Sequence, residues 1–135
     1  MRLFYYGQPL IITYSGGKDS EVLLELAKRS EIPFEVHHSH TTADAPQTVY
    51  HIRDVFNDLE NQGIKCTIEY PKLSMWQLIP YKLIPPTRLI RYCCTFLKES
   101  SCKNRMILTG VRWGESAKCK KKGIYEDITR NLDKH

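Results

Sequence analysis

Ile11-Ile12-Thr13-Tyr14-Ser15-Gly16-Gly17-Lys18-Asp19-Ser20, continued by Glu21-Val22-Leu23-Leu24-Glu25-Leu26-Ala27-Lys28, dictates how the rest of the chain is read. An apolar β-type run leads into a turn of small residues. A helical pattern leaves that turn with Val22, Leu23 and Leu26 on one face. Gly16 and Gly17 allow tight or left-handed backbone and a close approach to a ligand. Ser15, Ser20 and the free N–H groups at the helix start are expected to point at an anion, which the helix dipole favours there. Lys18 adds a mobile cation. The construction suits a phosphate or pyrophosphate. The Gly-x-x-x-x-Gly-Lys-Ser/Thr spacing of the ordinary P-loop is absent.

Outward from this stretch, residues 9–14 read as a first strand and 19–29 as a first helix, with 1–8 as a lead-in and edge strand. Phe34-Glu35-Val36-His37-His38 reads as a second strand. The polar loop His40–Pro46 then opens a helix carrying Val49, Ile52, Val55, Phe56 and Leu59 at helical spacing. Gly63 stands where that helix should stop. Ile64–Tyr70 alternates and is β-branched, so it is a third strand. Met75–Tyr81 suits one or two helical turns, Pro85-Pro86 interrupts, and 87–100 is expected to be helical around Leu89, Ile90 and Leu97. Arg105–Val111 is a fourth strand running into Gly110. Strands alternating with helices imply parallel βαβ units with right-handed crossovers. In such sheets ligands bind outside the carboxyl ends of the strands. The stretches Ser15–Ser20, His40–Pro46 and Gly110–Ser116 each follow a strand directly, so they are expected to converge.

Composition sets the class. At 135 residues the chain fits one domain, and its 41% hydrophobic and 26% charged content is that of an ordinary globular protein. No apolar run approaches the roughly 20 residues that span a bilayer, and the first residues are too short and polar for a signal peptide. A cytoplasmic protein with no membrane partner is the expectation. Five cysteines, an odd number, argue against a disulfide framework. The net charge of +5 favours anionic partners, and Lys118, Lys120, Lys121 and Lys122 concentrate part of it. That run is either a solvated face or a nucleic-acid contact.

Ser-Gly-Gly-Lys-Asp-Ser after a strand resembles the PP-loop of the ATP pyrophosphatase superfamily, the adenine nucleotide α-hydrolase-like proteins. Three further stretches resemble its phosphoadenosine phosphosulfate (PAPS) reductase-like group. They are the loop from His37 to Tyr50, with Gln47 where the group has Glu, then Arg91–Glu99 with Cys93-Cys94 and Lys98, and Thr109-Gly110-Val111-Arg112-Trp113-Gly114-Glu115-Ser116. The resemblance implies a three-layer α/β/α, Rossmann-like fold with a mostly parallel sheet. It implies a single PP-loop nucleotide-binding domain over residues 1–135 that lacks the family's C-terminal elements. The bound molecule would be ATP or a sulfonucleotide, PAPS or adenosine phosphosulfate (APS). Lys18, Lys98 and Arg112 would stabilise developing charge, and magnesium would bridge the phosphates.

By the same resemblance Ser15, Gly16, Gly17, Lys18, Asp19, Ser20, Gly110 and Arg112 line the phosphates, with Glu115 and Ser116 orienting Arg112 or a metal-bound phosphate, while the polar loop with Ser39, Thr41 and Thr42 reads as a base or ribose contact. Some relatives hold a [4Fe–4S] cluster on four thiolates. Here that set would have to be Cys93, Cys94, Cys102 and Cys119, and otherwise the cysteines are small buried hydrophobes. Three histidines, 37, 38 and 40, raise the question of zinc, but strand alternation would send His37 away from the other two. The function expected is sulfur or adenylyl transfer by an adenine-nucleotide enzyme. The alternatives are a sulfur-transfer factor for nucleic acid, of the DNA phosphorothioation or tRNA thiolation type, and a non-catalytic nucleotide-binding module. A homo-oligomer or a partner protein is expected in either case.

Overall fold

In the computed structural model, residues 7–90, 92 and 105–112 are described. Four strands form one parallel sheet: β1 (Leu10–Thr13), β2 (Phe34–Ser39), β3 (Cys66–Glu69) and β4 (Ile107–Leu108), in the order β3-β2-β1-β4. Among the described residues the helices α1 (Lys18–Arg29), α2 (Pro46–Asn61) and α3 (Met75–Lys82) lie between the strands in sequence. The strands step outward from β1 to β3, and the chain then returns to the far side of β1 as β4. Strand order therefore reverses between β1 and β4, and the crevice at that reversal is where open α/β sheets take ligands.

Register explains which residues fill the core. Ile12 stands beside Val36 and Leu108, and Val36 beside Cys66, so these residues share one face of the sheet. On that face Tyr14, Leu24, Val36, Ile52, Phe56 and Leu59 form the buried cluster, with Phe34, Val55, Ile64, Cys66 and Ile68 packed against it. Helix α2 contributes as its spacing predicts, through Ile52, Phe56 and Leu59. Helix α1 does not. Its buried residues are Ser20, Leu24 and Ala27, whereas Val22 and Leu26 are 60% and 59% exposed. Apolar residues lie on several sides of this helix, so periodicity alone does not select the face that packs.

The opposite face carries more polar groups. Glu35 on β2 receives Arg105 Nη1 at 2.8 Å and lies 3.6 Å from Lys65 Nζ, while Arg105 Nη2 donates to the Pro9 carbonyl at 2.9 Å. This guanidinium joins the amino ends of β1, β2 and β4. The Arg105 hydrogen bond holds the Glu35 carboxyl below its ordinary range despite opposing burial, with Arg105 and Lys65 charges adding to it. Arg105→Met should cost about 2 kcal/mol, because Glu35 is left half-buried with one weak partner. Urea unfolding at neutral pH measures this. A carboxyl with a depressed folded pKa contributes stability above its unfolded value and loses it as pH falls through the folded one. The gap between parent and Arg105→Met should therefore close below about pH 4.

Other boundaries differ from expectation. Residues 7–8 form a bend rather than a strand, and β4 is shorter than the Arg105–Val111 run. Residues 87–90 form a turn, with Thr87 N donating to Ile90 O at 3.1 Å and Ile90 N to Thr87 Oγ1 at 3.0 Å, and Leu89 is almost fully exposed. These four residues are not helical, Tyr92 is, and the rest of the span expected to be helical lies outside the described residues. Helix α3 forms where two turns were expected because Ser74 and Gln77 make a reciprocal capping box. No helix among the described residues is long and apolar enough to cross a membrane.

Candidate functional site at the β1–β4 rim

Buried Tyr14 ends β1, its N–H donating to His37 O at 2.9 Å and its carbonyl lying 2.8 Å from His38 Nδ1. The chain then turns through Ser15, Gly16 and Gly17 into α1. Gly16 has φ +74°, and a Cβ there would stand 3.1 Å from Ile52 Cγ1 and 3.2 Å from Thr48 Cγ2. The loop thus lies directly on α2, at a position that both conformation and space reserve for glycine.

Ser20 is buried and faces inward. Its hydroxyl donates to Gly17 O at 2.7 Å, and Ser15 N donates to it at 3.3 Å. It therefore closes the loop on itself, where the sequence suggests an anion ligand. Ser15 and Lys18 are exposed at the rim. Helix α1 starts at Gly17 with no side-chain cap bond among the described residues. Its first-turn amides thus remain for a ligand or solvent.

Strand β4 brings the second half of the rim. Thr13 Oγ1 donates to Leu108 O at 3.2 Å, and Arg112 Nε lies 3.2 Å from Asp19 Oδ2. Gly110 approaches α1 so closely that a Cβ would stand 3.2 Å from Asp19 O and 3.3 Å from its carbonyl carbon. Residues 15–19 and 109–112 therefore form one continuous edge above the sheet's reversal point. Of the residues proposed from sequence, Ser15, Gly16, Gly17, Lys18, Asp19, Gly110 and Arg112 are brought together here. Lys98, Glu115, Ser116, Cys93, Cys94, Cys102, Cys119 and Lys118–Lys122 lie outside the described residues.

The loop after β2 is more self-contained than its sequence suggests. Thr42, at φ +63°, accepts from Met75 N at 2.8 Å and donates to Thr41 O at 2.6 Å, so its hydroxyl anchors α3. Thr41 N donates to Asp44 Oδ2 at 3.1 Å. Burial pushes the Asp44 carboxyl up, but the Thr41 bonds and the nearby His38 and His40 outweigh it and hold the carboxyl below its usual range. Ser39 Oγ lies 3.4 Å from His37 Nε2.

The histidines divide as alternation requires. The His38 and His40 rings meet edge-on at 6.3 Å, whereas His37 turns to Glu69 at 3.3 Å. Burial and His38 lower the His37 pKa against the pull of Glu69, so this contact is a neutral-imidazole bond at pH 7. No group of three or more His, Cys, Asp or Glu residues suited to a metal occurs among the described residues. Cys66 packs half-buried on β3, where burial, with Glu60 adding, pushes its thiol up to about 11. It is a thiol, not a thiolate, at neutral pH.

The structure adds a cluster that spacing did not reveal. Tyr14 Oη donates to Glu21 Oε1 at 2.6 Å, and His51 Nε2 lies 2.8 Å from the same oxygen. Glu21 and His51 are 30 positions apart, and no local pattern signals that they meet.

The family model for the phosphoadenosine phosphosulfate reductase domain matches residues 9–132. No curated protein and no solved structure matches the chain. The matched span includes both halves of the rim and every element of the sheet, and the chain belongs to the phosphoadenosine phosphosulfate reductase domain family.

Proposed function

We propose that the β1–β4 rim binds the phosphates of an adenine nucleotide, ATP or a sulfonucleotide, in an enzyme that transfers sulfur or an adenylyl group. The observation that carries this is the meeting of the two loops. Gly110 would touch Asp19 through a single added methyl, and Arg112 reaches the Asp19 carboxylate at 3.2 Å. An anion at the start of α1 would meet the amides of the first turn, with Lys18 and Arg112 on either side. The guanidinium offers two parallel donors and the ammonium a movable charge. These groups stabilise negative charge that builds on a phosphate or sulfate oxygen as its bond breaks. Lys98 is proposed to complete the cation set, and Glu115 and Ser116 to orient Arg112. Magnesium, if bound, would supply charge neutralisation between phosphates. The cysteines proposed for an iron–sulfur cluster lie outside the described residues.

Titration of the protein with ATP, APS and PAPS by calorimetry tests the reading. At least one should bind, and Lys18→Ala should weaken it about tenfold or more. Binding of that ligand to Lys18→Ala as tightly as to the parent, or no binding of any of the three, would refute it.

A further inference from the structure

Glu21 and His51 lie in none of the stretches that carry the family resemblance, yet they meet beside the loop. Buried Tyr14, at the end of β1, donates its hydroxyl to Glu21 Oε1 at 2.6 Å. His51 on α2 places Nε2 2.8 Å from that oxygen and 3.3 Å from the Tyr14 hydroxyl. One carboxylate oxygen on α1 is therefore gripped by groups from the strand before the loop and from the helix beneath it. Glu21 also donates its N–H to Gly17 O at 3.1 Å, so the gripped residue closes the first turn of α1. Two side chains tie this turn sideways: Glu21 toward Tyr14 and α2, and Asp19 toward Arg112 beyond β4.

We infer that Tyr14, Glu21 and His51 form a positioning cluster: Glu21, held by the other two, sets the pose of residues 15–18 and of the first amides of α1. The inference rests on the nucleotide reading above and adds three side chains that do not touch the ligand. Among the described residues no side chain caps the helix start, so the lateral contacts are what hold its amides in place. A displacement of about 1 Å at such a site is enough to cost a large part of its binding. Gly16 lies one turn of α2 from His51, against Thr48 and Ile52. Rotation of α1 about this contact is what the Glu21 grip resists. Glu21 and His51 are each about half exposed, so substituting them leaves the core filled. Tyr14→Phe likewise keeps the ring and removes only the hydroxyl.

Amide hydrogen exchange and ATP and pyrophosphate titrations of Glu21→Ala, His51→Ala, His51→Gln and Tyr14→Phe test the inference. In Glu21→Ala, residues 16–20 should exchange about tenfold faster while β2 is unchanged. The same variant should bind ATP about tenfold more weakly. His51→Ala should move both in the same direction, and His51→Gln, whose amide can still donate to Glu21, should restore them to within about twofold. The His51 ring resonances should shift when pyrophosphate is added to the parent. Unchanged loop exchange in Glu21→Ala, or faster exchange with unchanged affinity, would overturn the inference. A parent that binds none of ATP, APS and PAPS would sink the nucleotide reading instead, leaving exchange to decide whether the cluster sets the loop.

Discussion

Gly16→Ala should destabilise the domain by about 2–5 kcal/mol and abolish nucleotide binding, the largest single-residue effect expected in this protein. Two costs add. At φ +74° an L side chain crowds its own backbone, at about 1–2 kcal/mol. The new methyl would then stand 3.1–3.3 Å from Ile52 Cγ1, Thr48 Cγ2 and Ile52 Cδ1. Thr48 could turn aside, but Ile52 is fully buried in the main core and can move only by disturbing Phe56 and Leu59. Overpacking of this kind adds about 1–3 kcal/mol. Urea unfolding followed by circular dichroism should show a lower midpoint with an unchanged slope. A variant as stable as the parent would mean that the loop does not sit on α2 as described.

Gly110→Ala should act differently, sparing most of the stability while costing about a hundredfold in nucleotide affinity. Its backbone conformation suits any residue, but its neighbours are main-chain atoms, Asp19 O at 3.2 Å, Asp19 C at 3.3 Å and Ser20 N at 3.5 Å. No side chain can rotate away there. Relief must come from parting β4 and α1 by a few tenths of an ångström, and that lengthens the Arg112–Asp19 contact. Calorimetry at matched temperature, with the unfolding midpoint as control, separates the two effects. Equal affinity in parent and variant would show that the juncture of the two loops is not where the phosphates bind.

The order of elements and the rim itself were legible in the sequence because both are written locally. The run Ile11–Ser20 contains strand, turn and helix start together, and Pro46 and Gly63 mark the ends of α2. What escaped was whatever depends on distant neighbours. Nothing within α1 shows that Leu24 and Ala27, rather than Val22 and Leu26, face the sheet, because that choice is made by Val36 and Ile52. Ser20 looks like a ligand in the motif, but burial turns its hydroxyl to Gly17. Thr42 looks free in its loop, and only the arrival of Met75 from 33 positions away uses its hydroxyl. The Glu21–His51 contact is hidden for the same reason.

The two-residue pairing of β4 with β1 bears on how the protein assembles. Strands β1, β2 and β3 are neighbours in sequence as well as in space, while Thr13 and Leu108 meet across 95 positions. Chain-closure entropy grows with separation and must be paid before that junction gives anything back. Closing that junction therefore carries the larger chain-closure cost, and β4 contributes only two residues to hold it. The rim's ligand would bind the finished state and not its precursors. On the nucleotide reading, added ligand would therefore raise the fraction of chains in which that junction is closed.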